Sequence, residues 1–70
     1  MERNKVNASN IRSVGYDEKS QTLEVEFSSG SIMQYSRVSH EVYRRLMAAP
    51  SMRSFLEDNI AENYSEKRIK

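Results

Sequence analysis

One stretch of the sequence, Thr22 to Tyr35, constrains the fold more than any other. From Thr22 to Phe27 the apolar and polar residues alternate strictly, which is typical of a strand that is buried on one face. A second run that can form a strand begins at Ser31, directly after Ser28-Ser29-Gly30. The sequence therefore predicts a β-hairpin.

The length of the hairpin loop decides which side chains share a face. A three-residue loop, with Gly30 in the left-handed region, pairs Leu23 with Tyr35 and Val25 with Met33. A two-residue loop would shift the register by one residue and turn Met33 and Tyr35 to the opposite face. We favour the three-residue loop because it places the apolar side chains of both strands together, with Tyr35 in the core.

A weaker strand is expected before the hairpin, from Ser9 to Tyr16. Val14 would face the core, whereas Ile11 would face the opposite side. The residues Asp17 to Ser20 predict a type I turn, in which the aspartate accepts a hydrogen bond from the amide two residues further on. This loop pairs Val14 with Leu23 and completes a three-stranded meander.

Two short helices are predicted after the sheet. Ser39 is a good N-cap for a first helix from about His40 to Ala48, which Pro50 brings to an end. Ser51 offers a second N-cap, for a helix from about Met52 to Ala61. The apolar stripe of the first helix comprises Val42, Tyr43, Leu46, Met47 and Ala49.

The expected fold is therefore α+β: a three-stranded antiparallel meander followed by two short helices packed on one sheet face (β-β-β-α-α). The 70 residues form a single domain with a core from about 6 to 64. Residues 1–8 are expected to be loose at their start and residues 65–70 to be a disordered charged tail. The covered face would carry Val14, Tyr16, Leu23, Val25, Phe27, Met33 and Tyr35, and the other, open face Glu24, Glu26, Ile32 and Gln34.

The composition argues against several functions. There is no cysteine for a disulfide or a zinc site, and His40 is the one histidine. Two distant glycines do not make a phosphate-cradling loop. We therefore expect a protein without catalytic residues, cofactor or metal. No run is long or apolar enough to cross a membrane, and the polar N-terminus is not a signal peptide, so we expect a cytoplasmic protein with no membrane partner.

The positive charge is concentrated in one part of the chain. The formal net charge is only +1, but the segment from Arg37 to Arg53 carries four arginines against one glutamate. Arginines bind phosphates, and a nearby tyrosine can stack on an unpaired base. Solvent-facing arginines and core tyrosines would produce the same pattern without any ligand. The candidate nucleic-acid-binding residues are Arg37, Arg44, Arg45 and Arg53, with Tyr35 or Tyr43 for stacking.

Residues spread along most of the chain, from about Val6 to Tyr64, resemble one small family, the KTSC domain. It takes its name from the C-terminus of some lysyl-tRNA synthetases and also occurs as a free-standing bacterial or phage protein. The matching residues are Ser9-Asn10-Ile11, Val14-Gly15-Tyr16-Asp17, Leu23, Val25, Phe27, Gly30, Tyr35, Val38, Val42-Tyr43, Leu46, Ala49-Pro50-Ser51 and Ile60.

The resemblance implies no established activity, but its synthetase context suggests RNA as a partner. The chain departs from the family pattern at Met33, Arg53 and Glu57, where the family has, or often has, tyrosine, glycine and asparagine. Our first hypothesis is a non-catalytic RNA-binding module that uses the arginines. The alternative is a protein-interaction module, including self-association, that uses the open sheet face around Ile32 or a sheet edge.

Overall fold

The computed structural model describes residues 3–70, apart from the side chain of Asn7. Five strands form one antiparallel sheet in the order β1-β2-β3-β4-β5, and the two helices lie between β4 and β5 in the chain. The fold class α+β is confirmed, whereas the predicted three-stranded meander lacks two of the five strands. The elements are β1 (Arg3–Ala8), β2 (Ile11–Asp17), β3 (Thr22–Phe27), β4 (Ile32–Tyr35), α1 (His40–Ala48), α2 (Met52–Phe55), a π-helical turn (Leu56–Ile60) and β5 (Glu66–Arg68).

The β3–β4 hairpin has the register that the three-residue loop predicts. Leu23 pairs with Tyr35 and Val25 with Met33. Gly30 has a φ of 96°, a conformation that glycine adopts without steric cost. The Phe27 amide donates to the Ser31 carbonyl at 2.8 Å and closes the loop. The register therefore places Tyr35 in the core.

The β2–β3 turn has the predicted hydrogen bond, but the pairing of the two strands is shifted by two residues from the predicted register. The Lys19 amide donates to the Asp17 carboxylate at 3.1 Å, as expected. Gln21, with a φ of 54°, belongs to the turn, so Val14 pairs with Val25 and not with Leu23. A shift of two residues leaves the facing of every side chain unchanged, which is why Val14 is nevertheless buried.

A β-bulge in β2 corrects the predicted position of Ile11. Ile11 pairs with Phe27 and Ser13 with Glu26, so Arg12 is the extra residue on its strand. The bulge turns Ile11 into the core, where it is 2% exposed. The expectation that Ile11 faces away from the core is therefore wrong, because strict alternation does not continue through a bulge.

The two edge strands were not predicted. Arg3–Ala8 forms β1, so the expected loose start is wrong for these residues, while Met1 and Glu2 lie outside the described part of the chain. Glu66–Arg68 forms β5 and pairs with β4, where a disordered tail was expected. All three side chains of β5 are exposed, and the strand is held by its pairing with β4 and by the Tyr35–Glu66 contact. An edge strand of this kind has no alternating apolar pattern that could reveal it.

The predicted helix boundaries are largely confirmed. Helix α1 runs from His40 to Ala48, and the Val42 amide donates to the Ser39 hydroxyl at 3.3 Å. Ala49, which precedes Pro50, is extended with a ψ of 141° and ends the helix. The expected second helix is regular only in α2.

The second helix widens into a π-helical turn after four residues. Here the Ala61 amide donates to the Leu56 carbonyl, five residues back, at 2.7 Å. Both Leu56 and Ile60 are buried against the sheet. Tyr64 packs on the same core, as predicted. The buried apolar core consists of Ile11, Val14, Leu23, Val25, Tyr35, Val38, Leu46, Leu56 and Ile60.

Candidate nucleic-acid interface

The solvent side of α1 forms an open groove of about 670 Å³. The groove is shallow and all its lining residues belong to α1, where side chains three or four residues apart lie next to each other. Met47 belongs to this groove and is 37% exposed, which corrects its predicted place in the apolar core stripe. The groove is lined by Glu41, Tyr43, Arg44, Arg45, Met47 and Ala48.

One flank of the groove is charged. Arg45 donates to the Glu41 carboxylate at 2.9 Å, and both side chains are exposed. Arg44 is exposed and makes no ion pair with any of residues 3–70. Two guanidinium groups and one carboxylate give the groove a formal charge of +1. An exposed i,i+4 pair contributes only about 0.3–0.5 kcal/mol, so Arg45 is held weakly.

The other flank is aromatic. The rings of Tyr43 and Tyr16 stack with their centroids 4.7 Å apart and their planes 8° from parallel. The Tyr16 hydroxyl donates to the Val38 carbonyl at 2.6 Å, which fixes the ring beneath Tyr43. Burial raises the pKa of Tyr16, and the carboxylates of Glu18 and Asp17 raise it further. His40, at the start of α1, lies about 6 Å from both rings.

The structure brings three of the six predicted residues together, namely Tyr43, Arg44 and Arg45. Arg53 is not part of the groove lining: it lies on α2 and donates to Glu57 at 3.1 Å. Arg37 follows β4 and is exposed, with a φ of 61°. It is not part of the groove lining either. The structure thus replaces the expected single arginine surface by a smaller groove on α1.

Tyr35 cannot act as a stacking residue in this structure. It is 2% exposed, and its hydroxyl donates to Glu66 at 2.9 Å. Burial raises the pKa of Tyr35 strongly, and the hydrogen bond and charge of Glu66 raise it further. No ring face is free for a base, so the prediction that Tyr35 could bind one is wrong. The hydroxyl secures β5 against β4.

The outer face of the sheet was expected to be open, but polar side chains fill it. Arg3 donates to Glu24 at 2.7 Å, and Gln34 donates to the same carboxylate at 3.1 Å. Gly15 pairs in register with both Arg3 and Glu24. The ion pair therefore passes over a strand at a residue without a side chain, across two strand spacings of about 4.8 Å each. Glu24 is 7% exposed as a result.

A second polar contact lies on the same face two residues further along β3, at Glu26. The Ser13 hydroxyl donates to Glu26 at 2.9 Å, and an Arg12 nitrogen lies 3.7 Å from the same carboxylate. Ile32, which was expected on an open face, is 9% exposed. The face is thus covered by its own side chains and offers little apolar surface to a partner.

Three residues of this region were not predicted as site residues: Glu41 and Met47, which line the groove, and Tyr16, which stacks on Tyr43. The spacing of Tyr43 and Met47, one helical turn apart, places them side by side on a helix and is a signal that could have identified Met47. Tyr16 carries no such signal, because its contact with Tyr43 joins β2 to α1 and depends on the tertiary fold.

Residues 3–70 hold no group of three His, Cys, Asp or Glu side chains that could bind a metal ion. Among residues 3–70, none of the helices has the length and apolar character of a membrane-spanning segment. The absence of a cofactor, metal or catalytic role remains a prediction from the sequence.

The fold and the groove define a small α+β domain in which a five-stranded antiparallel sheet carries two helices on one face. The profile of the KTSC domain matches residues 7–64, and the chain belongs to this family. An uncharacterised protein of Stutzerimonas stutzeri (strain A1501) is 46% identical over 52 residues, 74% of this chain and 73% of the relative. The crystal structure of a KTSC domain protein from Yersinia pestis superposes with a TM-score of 0.93 at 29% identity, over 99% of this chain and 97% of the other.

Proposed function

We propose that this KTSC domain is a non-catalytic RNA-binding module of the cytoplasm, and that the α1 groove contacts RNA phosphates. The observation that carries the proposal is Arg44, an exposed guanidinium in the groove that is not neutralised by a carboxylate of residues 3–70. An arginine fork matches the oxygens of a phosphate and can bind two of them at once.

Arg45 can join Arg44 when a phosphate approaches. Its ion pair with Glu41 is exposed to water and weak, so a phosphate can compete with the glutamate for the guanidinium. The arginine excess of this segment and the occurrence of KTSC domains at the C-terminus of lysyl-tRNA synthetases both support an RNA ligand. Arg37 and Arg53 lie outside the groove and would act as secondary contacts to a longer strand.

An NMR titration of the labelled protein with a short single-stranded RNA and with a tRNA tests the proposal. We expect amide shifts on α1 around Arg44 that weaken between low and moderate salt. Arg44→Gln should reduce the affinity and lower the slope of log affinity against log salt by about 0.7 for a single strand. Arg12→Gln, which removes an exposed arginine on β2, is the matched control and should leave the α1 shifts in place. The absence of shifts at low salt for both RNAs would overturn the proposal.

A second candidate function is self-association through a sheet edge, which the exposed side of β1 favours. Among residues 3–70, β1 is at the edge of the sheet and pairs only with β2, so one side of its backbone can accept another strand. The outer sheet face is a weaker candidate because the Glu24 and Glu26 contacts fill it. Sedimentation equilibrium at high salt tests this candidate: an oligomer that persists would support it, and a monomer across the concentration range would exclude it.

A further inference from the structure

The uncharged flank of the α1 groove consists of Tyr43 and Met47, and phosphate binding does not account for its apolar surface. Met47 is one of two large apolar side chains that are exposed in the described part of the chain. It lies one helical turn from Tyr43, and both line the groove beside Arg44. Phosphate contacts alone do not require an apolar surface at this position.

The ring of Tyr43 is held in a fixed position. Tyr16 covers one face of the ring in a parallel stack, and the Tyr16 hydroxyl is anchored on the Val38 carbonyl. Tyr43 is half-buried against the core, so a flat partner would have to use the part of the ring that lines the groove. An aromatic ring that is already immobilised loses little conformational entropy when it binds.

We propose that Tyr43 and Met47 bind an unpaired base of a single-stranded RNA whose adjacent phosphate is held by Arg44. This inference rests on the proposed function and specifies the class of RNA. The pairing of an aromatic surface with a cationic groove is the arrangement by which proteins bind single strands, because every unpaired base has a face that can stack. A base in an intact duplex has both faces covered by its neighbours and would not reach Tyr43. Tyr16 then acts as a positioning residue for the ring of Tyr43.

Binding of the full-length chain to three nucleic acids tests the inference. The first is a single-stranded octamer of adenosine, the second an octamer with the same phosphates in which the riboses carry no base, and the third a duplex of the same length. We expect the abasic strand to bind between about 5-fold and about 100-fold more weakly than the adenosine octamer, which is the range for one stacked base. Because a duplex carries more phosphate charge than a single strand, its affinity is compared between variants: Tyr43→Leu should leave the affinity for the duplex unchanged.

Variants of the aromatic flank give the second readout. Tyr43→Leu should reduce the affinity for the adenosine octamer by the same factor and leave the affinity for the abasic strand unchanged, whereas Tyr43→Phe should retain the wild-type affinity. If Tyr43→Leu unfolds, Met47→Ser at an exposed position gives the same comparison with a smaller loss. Tyr16→Phe should reduce the affinity by no more than about tenfold, and for the adenosine octamer only. Tyr64→Phe, which removes a hydroxyl elsewhere in the core, is its control.

The outcomes separate this inference from the function on which it rests. Equal affinity for the adenosine octamer and the abasic strand would overturn the stacking of a base while leaving phosphate binding intact. A loss of duplex affinity in Tyr43→Leu as large as the loss for the adenosine octamer would also overturn it. No binding of any of the three at low salt would overturn both proposals.

Discussion

The outer sheet face and the α1 groove both carry arginines, but they differ in what the arginines contact. On the sheet, Arg3 donates to Glu24 in a pair that is largely buried. On α1, Arg44 has no such partner in residues 3–70, and Arg45 has only an exposed glutamate. The same side chain is thus part of the folded structure in one region and available to a ligand in the other. A count of charges along the chain cannot make this distinction.

The largest effect is expected on the sheet. Glu24→Ala removes the acceptor of both Arg3 and Gln34 and leaves a half-buried guanidinium without a partner. We expect the free energy of unfolding to fall by about 2–3 kcal/mol, measured by urea denaturation. RNA affinity at a temperature where the variant is folded should not change. A loss below about 0.5 kcal/mol would show that the pair is not structural.

The Tyr35–Glu66 contact is expected to have the next largest effect, and it depends on pH. The pKa of Tyr35 is raised above its usual 10.0 in the folded state, so the unfolded chain loses this proton first. The contribution of the Tyr35 hydroxyl to the free energy of unfolding is therefore complete below pH 10 and is lost as the pH rises above 10. Tyr35→Phe should cost about 1 kcal/mol at neutral pH and reduce the fall in stability above pH 10. An alkaline unfolding curve identical to that of the wild type would contradict this assignment.

Glu41→Gln should raise the affinity for RNA, in contrast to Arg44→Gln, which should reduce it. It removes the one carboxylate of the groove and frees Arg45 for a phosphate. We expect the affinity for single-stranded RNA at low salt to rise by about twofold, since an exposed pair contributes about 0.3–0.5 kcal/mol. Fluorescence anisotropy would detect this change. An unchanged or weaker affinity would mean that Arg45 does not contact RNA.

The smallest effect is expected on α2. Glu57→Gln removes an exposed i,i+4 pair with Arg53 and should cost no more than about 0.5 kcal/mol of stability. Because Arg53 does not line the groove, the affinity for the adenosine octamer should equal that of the wild type. A rise like the one expected for Glu41→Gln would move the interface from α1 towards α2.

The parts of the fold that could be predicted from the sequence are those with a local physical cause. The Ser28-Ser29-Gly30 loop determines the hairpin register, and Ser39 and Pro50 determine the ends of α1. The edge strands could not be predicted, because β5 buries no side chain and its pairing partner is about thirty residues away in the chain. The bulge at Arg12 and the π-helical turn likewise depend on how the whole core packs.

The candidate site could be predicted only in part for the same reason. The arginine-rich segment indicated α1, and Arg44 and Arg45 are indeed exposed there. Whether a tyrosine lies in the core or at the surface depends on its register, and this removed Tyr35 from the site. Which arginine already has an acidic partner depends on contacts that composition does not reveal.

The fifth strand determines how small a piece of this chain can fold. The family profile covers residues 7–64 and leaves out β5 and most of β1. A fragment of residues 7–64 alone would lack the carbonyls of Lys70 and Ser65, which accept hydrogen bonds from the amides of Ile32 and Ser36. In the same fragment the Tyr35 hydroxyl would lose its acceptor, Glu66. The minimal folding unit therefore extends beyond the segment by which the family is recognised, and a fusion or transplant of the domain should include both flanking strands.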